Sequence, residues 1–222
     1  MAVEHVLVPY SFLGFDTIVY LIAAVIGFLV AYNASKVFGI TSKRSHMFLS
    51  YGFTILSIGF LILAVSSGYT YANMRFSNQT TEMQLFAPAF DVYDFGYWIY
   101  YAASIVAYMM FIMMYLPGSS KGDKRLFFIL PYWFVFFPFF QLISLLLIAY
   151  VAFRSAANYF EKRSRGSLFV MTGFACFAVF HLLMLFAAFG KVIYVVAHAF
   201  LIIGALSLLM VLTRAGRKRK IF

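Results

Sequence analysis

His181 and His198 have more chemistry to offer than any other residues in this chain, and the surroundings give them little reason to be there. Each stands inside an apolar run of FHLLMLFAAFGKVIYVVAHAF, residues 180–200, where only Gly190 and Lys191 part the two runs. If both runs are helical, His181 lies nine residues before Gly190 and His198 seven after Lys191. At about 1.5 Å of rise per residue the two imidazoles share a depth of roughly 10–14 Å below the turn. Paired imidazoles at one depth can bond to carbonyls and hydroxyls and so hold helices together. They can also ligate a haem iron or a metal ion, or pass protons. Structural pairing is the leading expectation, because a polar group in hydrocarbon is costly and turns inward to a partner. The alternative is haem b held between His181 and His198; no other cofactor is expected. For a metal ion, two histidines are an incomplete ligand set.

Two further groups of residues invite a functional reading. Asp16, Glu82, Asp91 and Asp94 gather at the ends of apolar runs, where carboxylates are expected to be solvated and where cation capture or proton entry is the functional alternative. Asn33, Ser35 and Lys36 are expected to end the first helix at the headgroups. Glycine-rich phosphate loops, HExxH motifs and paired cysteines do not occur in the sequence, and the single Cys176 falls inside an apolar run. The motif-bearing nucleotide, zincin and thiol-redox classes lose support accordingly. A retinal Schiff base needs a lysine within a span, and no lysine sits in the middle of an apolar run.

The elements that position these residues are set by composition. The chain is 64% hydrophobic and 11% charged, against roughly 45–50% and 25% in soluble domains. Charge-free windows run over residues 17–35, 47–74, 95–120, 126–153, 166–190 and 192–213. Each supplies the ~20 residues that cross a ~30 Å hydrocarbon core. The expectation is an all-α integral membrane protein in the cell membrane, a single transmembrane domain over residues 1–222. The net charge of +10 sits in clusters beside the apolar runs, as in loops that face anionic lipid, so nucleic acid is not an expected partner. Glu4 precedes the first run and no basic segment leads it, so a cleavable leader is not expected either.

The fourth window, LFFILPYWFVFFPFFQLISLLLIAYVAF, holds Pro131 and Pro138 and decides the span count. As one span it would divide the basic clusters almost evenly between the two faces, against the positive-inside rule. A chain reversal near Phe137–Pro138 gives seven helices, one over about 121–137 and the next over about 139–161. All four basic clusters then share a face, and of the 17 basic residues only Arg75 and Lys191 lie opposite. This predicts a seven-helix transmembrane bundle, N-terminus out and C-terminus in. Asn78-Gln79-Thr80, a glycosylation triplet, falls in the longest outer loop, about 71–90, which has room for a short interfacial helix or hairpin. Tyr93, Tyr97, Trp98, Tyr100 and Tyr101 are expected to form an interfacial anchoring belt.

With short loops and no catalytic motif, the sequence points to a non-enzymatic polytopic protein. It reads as a channel, transporter or scaffold component whose partners are the bilayer and other membrane subunits or further copies of itself.

Overall fold

The structure, a computed structural model, describes residues 12–76, 82–116 and 137–217. They form six helices: α1 (Leu13–Thr41), α2 (Arg44–Phe76), α3 (Glu82–Met113), α4 (Phe137–Lys162), α5 (Arg165–Leu185) and α6 (Lys191–Arg217), with a 3₁₀ turn at Ala187–Phe189. All six are long and apolar enough to cross a membrane. The exposure pattern is that of a protein in lipid. Ile18, Val65, Leu146, Phe153 and Val192 are more than 60% exposed, while Asp16, Ser57, Ser67, Ser104, Ser144 and His181 are fully buried. Water would favour the opposite distribution.

The helices outrun their charge-free windows. α1 continues past Asn33, Ser35 and Lys36 to Thr41, so those residues lie within the helix and do not end it. The Asn33 amide bonds back to the Leu29 carbonyl at 2.7 Å. The helix closes instead at Ser42, whose left-handed φ of 51° turns its N–H onto the Phe38 carbonyl at 2.7 Å. Arg163, with φ 45°, ends α4 in the same way on the Tyr159 carbonyl. Charged side chains near a helix end keep their stems along the apolar surface, so a charge does not mark where the helix stops. For the same reason the long outer loop shrinks. α2 reaches Phe76 and α3 starts at Glu82, which leaves residues 77–81, and the Asn78 triplet within them, outside the described residues.

Neighbouring helices touch in sequence order, and α6 returns to α1, closing a ring in which α3 and α4 are the loosest neighbours. The direction of those two is informative. Tyr101, just past the middle of α3, meets Phe140, in the first turn of α4, with ring centroids 3.8 Å apart. At their far ends Met114 and Tyr115 share a cavity with Arg154, Asn158 and Lys162. α3 and α4 therefore run parallel. Lys36, Lys43, Arg44, Arg154, Lys162, Arg163 and Arg165 consequently fall at one end of the ring, and Arg75 and Lys191 at the other. α4 itself starts at Phe137, with Pro138 in its first turn, where a missing amide costs nothing. The expected helix over about 121–137 lies, but for Phe137, outside the described residues, which contain six helices.

Close approach of backbones replaces the hydrophobic effect as the cohesive device, as expected where lipid is as apolar as the helix face. α5 and α6 cross at Gly173 and Gly204. A Cβ on Gly204 would stand 2.9 Å from the Gly173 carbonyl oxygen, and one on Gly173 would stand 2.6 Å from the Leu208 side chain. Gly204→Ala should therefore destabilise the bundle by about 1–3 kcal/mol despite alanine's better helix propensity. Unfolding titrations in mixed micelles check this; an equal or higher midpoint would show that the crossing has room to give.

Candidate functional site

Both histidines face the bundle interior, with exposures of 0% for His181 and 1% for His198. Each ring nitrogen has a partner. His198 Nδ1 lies 2.9 Å from the Tyr194 carbonyl, an acceptor, so in the neutral ring Nδ1 carries the hydrogen. Nε2 is then bare and accepts from the Tyr20 hydroxyl at 3.0 Å. His181 repeats the pattern with different helices: Nδ1 donates to Gln141 Oε1 at 2.8 Å, and Nε2 accepts from the Tyr108 hydroxyl at 2.6 Å. One histidine thus ties α6 to α1, and the other ties α5 to α3 and α4. They do not bond to each other; Phe180 packs against both, 4.9 Å from the His181 ring and 5.6 Å from that of His198.

This geometry does not fit a haem. To ligate iron, both Nε2 atoms would have to release a tyrosine, and Phe180 would have to leave its contacts with both imidazoles. A metal ion has no better support, since no group of three or more His, Cys, Asp or Glu is gathered among the described residues.

Asp16 departs furthest from expectation. It was grouped with solvated outer carboxylates, yet it is 0% exposed. Its partners are phenols: Tyr194 donates to Oδ1 at 2.5 Å and Tyr93 to Oδ2 at 3.4 Å. Tyr194 thereby serves two groups, its hydroxyl holding Asp16 and its carbonyl holding His198 one turn further on. Phe12 and Phe15 pack on the Tyr194 ring with centroids 5.4 and 6.4 Å away, and Phe15 also covers His198 at 5.7 Å. Of the other acids, Asp94 is half-buried with a partner, and the side chains of Glu82 and Asp91 lie outside the described residues.

The expected aromatic belt turns out to be an interior stripe. Tyr93, Tyr97, Tyr100 and Tyr101 are 2–4% exposed, and of that group Trp98, at 39%, looks outward. Spacing carried the signal: residues 93, 97, 100, 101, 104 and 108 recur every three or four positions, so they share one face of α3. Along that face the Tyr97 and Tyr100 hydroxyls, both fully enclosed, have no hydrogen-bond partner among the described residues. Tyr97 stands beside the hydroxyls of Tyr93, Tyr20 and Tyr194 without closing a bond to any of them. The site is therefore a carboxyl and an imidazole, Asp16 and His198, joined by four clustered phenols.

A separate cavity of about 440 Å³ opens at the basic end, lined in part by Ser45, His46, Tyr115, Arg154, Asn158 and Glu161. It lies at the opposite end of the bundle from Asp16. No protein-family model matches the chain, and neither a curated protein nor a solved structure matches it. The fold and the inverted burial pattern define the class: this is a polytopic α-helical membrane protein.

Truncating the partner of a buried imidazole gives a direct measure of the structural role. Tyr108→Phe leaves His181 Nε2 unsatisfied and should cost about 1–3 kcal/mol. Thermal unfolding in detergent reads this, and an unchanged midpoint would mean that the Tyr108 bond contributes nothing.

Proposed function

We propose that the protein is a non-enzymatic, seven-crossing membrane protein of the transporter or channel class, working through the buried Asp16 site, with its basic end in the cytoplasm. The observation that carries this reading is a carboxyl with 0% exposure inside a lipid-facing bundle, held by two phenols rather than by a cation. Packing alone is better served by an apolar residue, and an ionisable group kept inside a membrane bundle marks a pathway or a binding site. A purely scaffolding role gives no reason for this carboxyl.

The crossing count is supported by the parallel course of α3 and α4. A chain that leaves α3 at the basic end and enters α4 at the other has to return the length of the bundle between Leu116 and Phe137. The expected helix over about 121–137 is the candidate for that return, short for a ~30 Å hydrocarbon core and so dependent on local thinning or burial in the bundle. The orientation follows from the basic residues gathered at one end, which cytoplasmic anionic lipid and the membrane potential hold inside. The exposed apolar flanks suit lipid, other membrane subunits or a second copy.

Two measurements test the two halves of this reading. In proteoliposomes under an imposed cation or proton gradient, the wild-type protein should dissipate the gradient, and Asp16→Asn should slow it at least about tenfold, as removal of an acid–base group does. Wild-type vesicles that match protein-free vesicles would return the protein to the scaffold class. For topology, cysteines placed at Lys43 and Arg165 in a Cys176→Ser background should be labelled from the cytoplasmic side and one at Arg75 from outside. Labelling of Lys43→Cys and Arg165→Cys from opposite sides would remove the seventh crossing.

A further inference from the structure

The reading of Asp16 as the working site leaves open what it handles, and the inference drawn next rests on that reading. The surroundings of Asp16 are poor in the oxygens a metal cation needs. Hard cations take six or more oxygen ligands, mostly carboxylates, carbonyls and water. The Leu13 carbonyl, three residues back on the same helix, is already taken by the Ser67 hydroxyl at 2.8 Å and the Thr17 hydroxyl at 2.9 Å. α2 contributes that Ser67 hydroxyl, and Phe180 of α5 packs on the His198 ring. Among the described residues, what remains around the carboxyl is Tyr93 and Tyr97 from α3, Tyr20 from its own helix and Tyr194 from α6, with His198 beyond Tyr20. Every one of those groups can both give and accept a proton.

The tautomer of His198 gives the set a direction. With Nδ1–H committed to the Tyr194 carbonyl, Nε2 is a free base whose partner is the Tyr20 hydroxyl. At the other end Asp16 Oδ1 is in contact with the Tyr194 hydroxyl. The Tyr194 and Tyr20 hydroxyls are neighbours that spend their hydrogens on Asp16 and His198, and beside both stands Tyr97, fully enclosed, its own hydroxyl bonded to neither. An unsatisfied buried hydroxyl is costly, and a native protein keeps one where it is used.

We propose that Tyr97 is the mobile link of a proton relay that runs from Asp16 through Tyr194, Tyr97 and Tyr20 to Nε2 of His198. In the loaded state Asp16 carries the proton. Transfer breaks the carboxyl O–H as a new O–H forms on the Tyr194 oxygen, whose own proton passes to Tyr97. Tyr97 hands its proton to Tyr20, and Tyr20 hands its proton to His198 Nε2. Each phenol ends with one hydrogen, no electrons change hands, and one proton has moved. Asp16 is left as carboxylate and His198 as imidazolium, its Nδ1–H still on the Tyr194 carbonyl. His198 follows Tyr194 by one helical turn, so the proton advances by about 6 Å along the bundle. Inward of His198 the core is aromatic, and the cavity there, lined by Phe53, Phe60 and Phe177, holds about 10 Å³. The relay is therefore a two-position proton store that drives a conformational step, and not an open wire.

Time-resolved infrared spectroscopy after a pH jump, on the full chain in nanodiscs, tests this. The Asp16 carboxyl band is assigned with Asp16→Asn, and the His198 imidazolium band with labelled histidine and His198→Gln. The wild type should lose the first and gain the second with one rate constant, with Tyr97→Phe slowing the His198 signal at least about tenfold, the loss of one acid–base step. Tyr97→Phe removes an oxygen that bonds to nothing and should fold; Tyr20→Phe, which cuts the relay at its last link, must give the same delay. The relay falls if His198 stays neutral at every pH, or if its rate is unchanged in both variants. It also falls if sodium at constant pH discharges the Asp16 band, which would make the ligand a metal cation. Vesicle flux is scored separately. Flux lost in Asp16→Asn with unchanged His198 kinetics in Tyr97→Phe sinks the relay alone, whereas an intact relay without flux sinks the transport reading alone.

Discussion

Inside this bundle no bulk water stands ready to complete a polar group, and the arrangement of the six described helices follows from that. In hydrocarbon each unsatisfied donor or acceptor costs several kcal/mol, so every buried polar side chain constrains the helix that carries its partner. Asp16 and His198 between them fix α1, α3 and α6 at one level, through Tyr194, Tyr93 and Tyr20. His181 fixes α3, α4 and α5 at another, through Tyr108 and Gln141. These two triads share α3. Together they touch five of the six helices, and α2 joins through the Ser67 bond to the Leu13 carbonyl and the Ser50 bond to the Ala31 carbonyl.

Polar bonds specify the neighbours, but close contact supplies the cohesion. Lipid competes equally well for a leucine, so helices that associate in it need backbones near enough for dispersion to favour protein over lipid. α1 turns Ala23, Gly27, Ala31 and Ala34 inward, and α5 meets α6 at Gly173 and Gly204. Where α2, α3 and α5 leave more space, Phe53, Phe111, Phe174 and Phe177 fill it, with ring centroids 4.9–6.5 Å apart. Small residues draw the perimeter tight and large aromatic rings occupy the centre.

Against this background it is clear which features the sequence could and could not reveal. The spans were legible because burial in lipid acts on composition, window by window. The shared inward depth of His181 and His198 was legible because it depends on counting from one turn. The gathering of the described basic residues at one end of the ring was legible in the charge clusters, because the membrane acts on loop charge directly. Asp16 was misread because treating every charge as a boundary placed it just outside the first apolar window. Its partner Tyr194 lies 178 residues away, and no local pattern reports such a pairing. The tyrosines of α3 were misread for a related reason. Tyrosine suits a headgroup belt and a polar core equally well, and only the helical period separates the two.

That tyrosine face makes α3 the element through which the two polar networks can communicate. Tyr97 belongs to the Asp16 network and Tyr108 to the His181 network, and between them on the same face lies Tyr100, whose hydroxyl has no hydrogen-bond partner among the described residues either. On the other side of the core the networks meet at Phe180, which touches both imidazoles but offers neither a hydrogen bond. A charge appearing on His198 therefore reaches His181 by displacing an aromatic ring or by shifting α3, and not by proton transfer. Cores packed this densely move between discrete arrangements rather than deforming smoothly. The loosest pairing in the ring, α3 with α4, adjoins the His181 network, so a shift of α3 meets least resistance on that side. The two histidines are thus placed to report different things: His198 the state of a proton, and His181 the position of the helix that the proton moves.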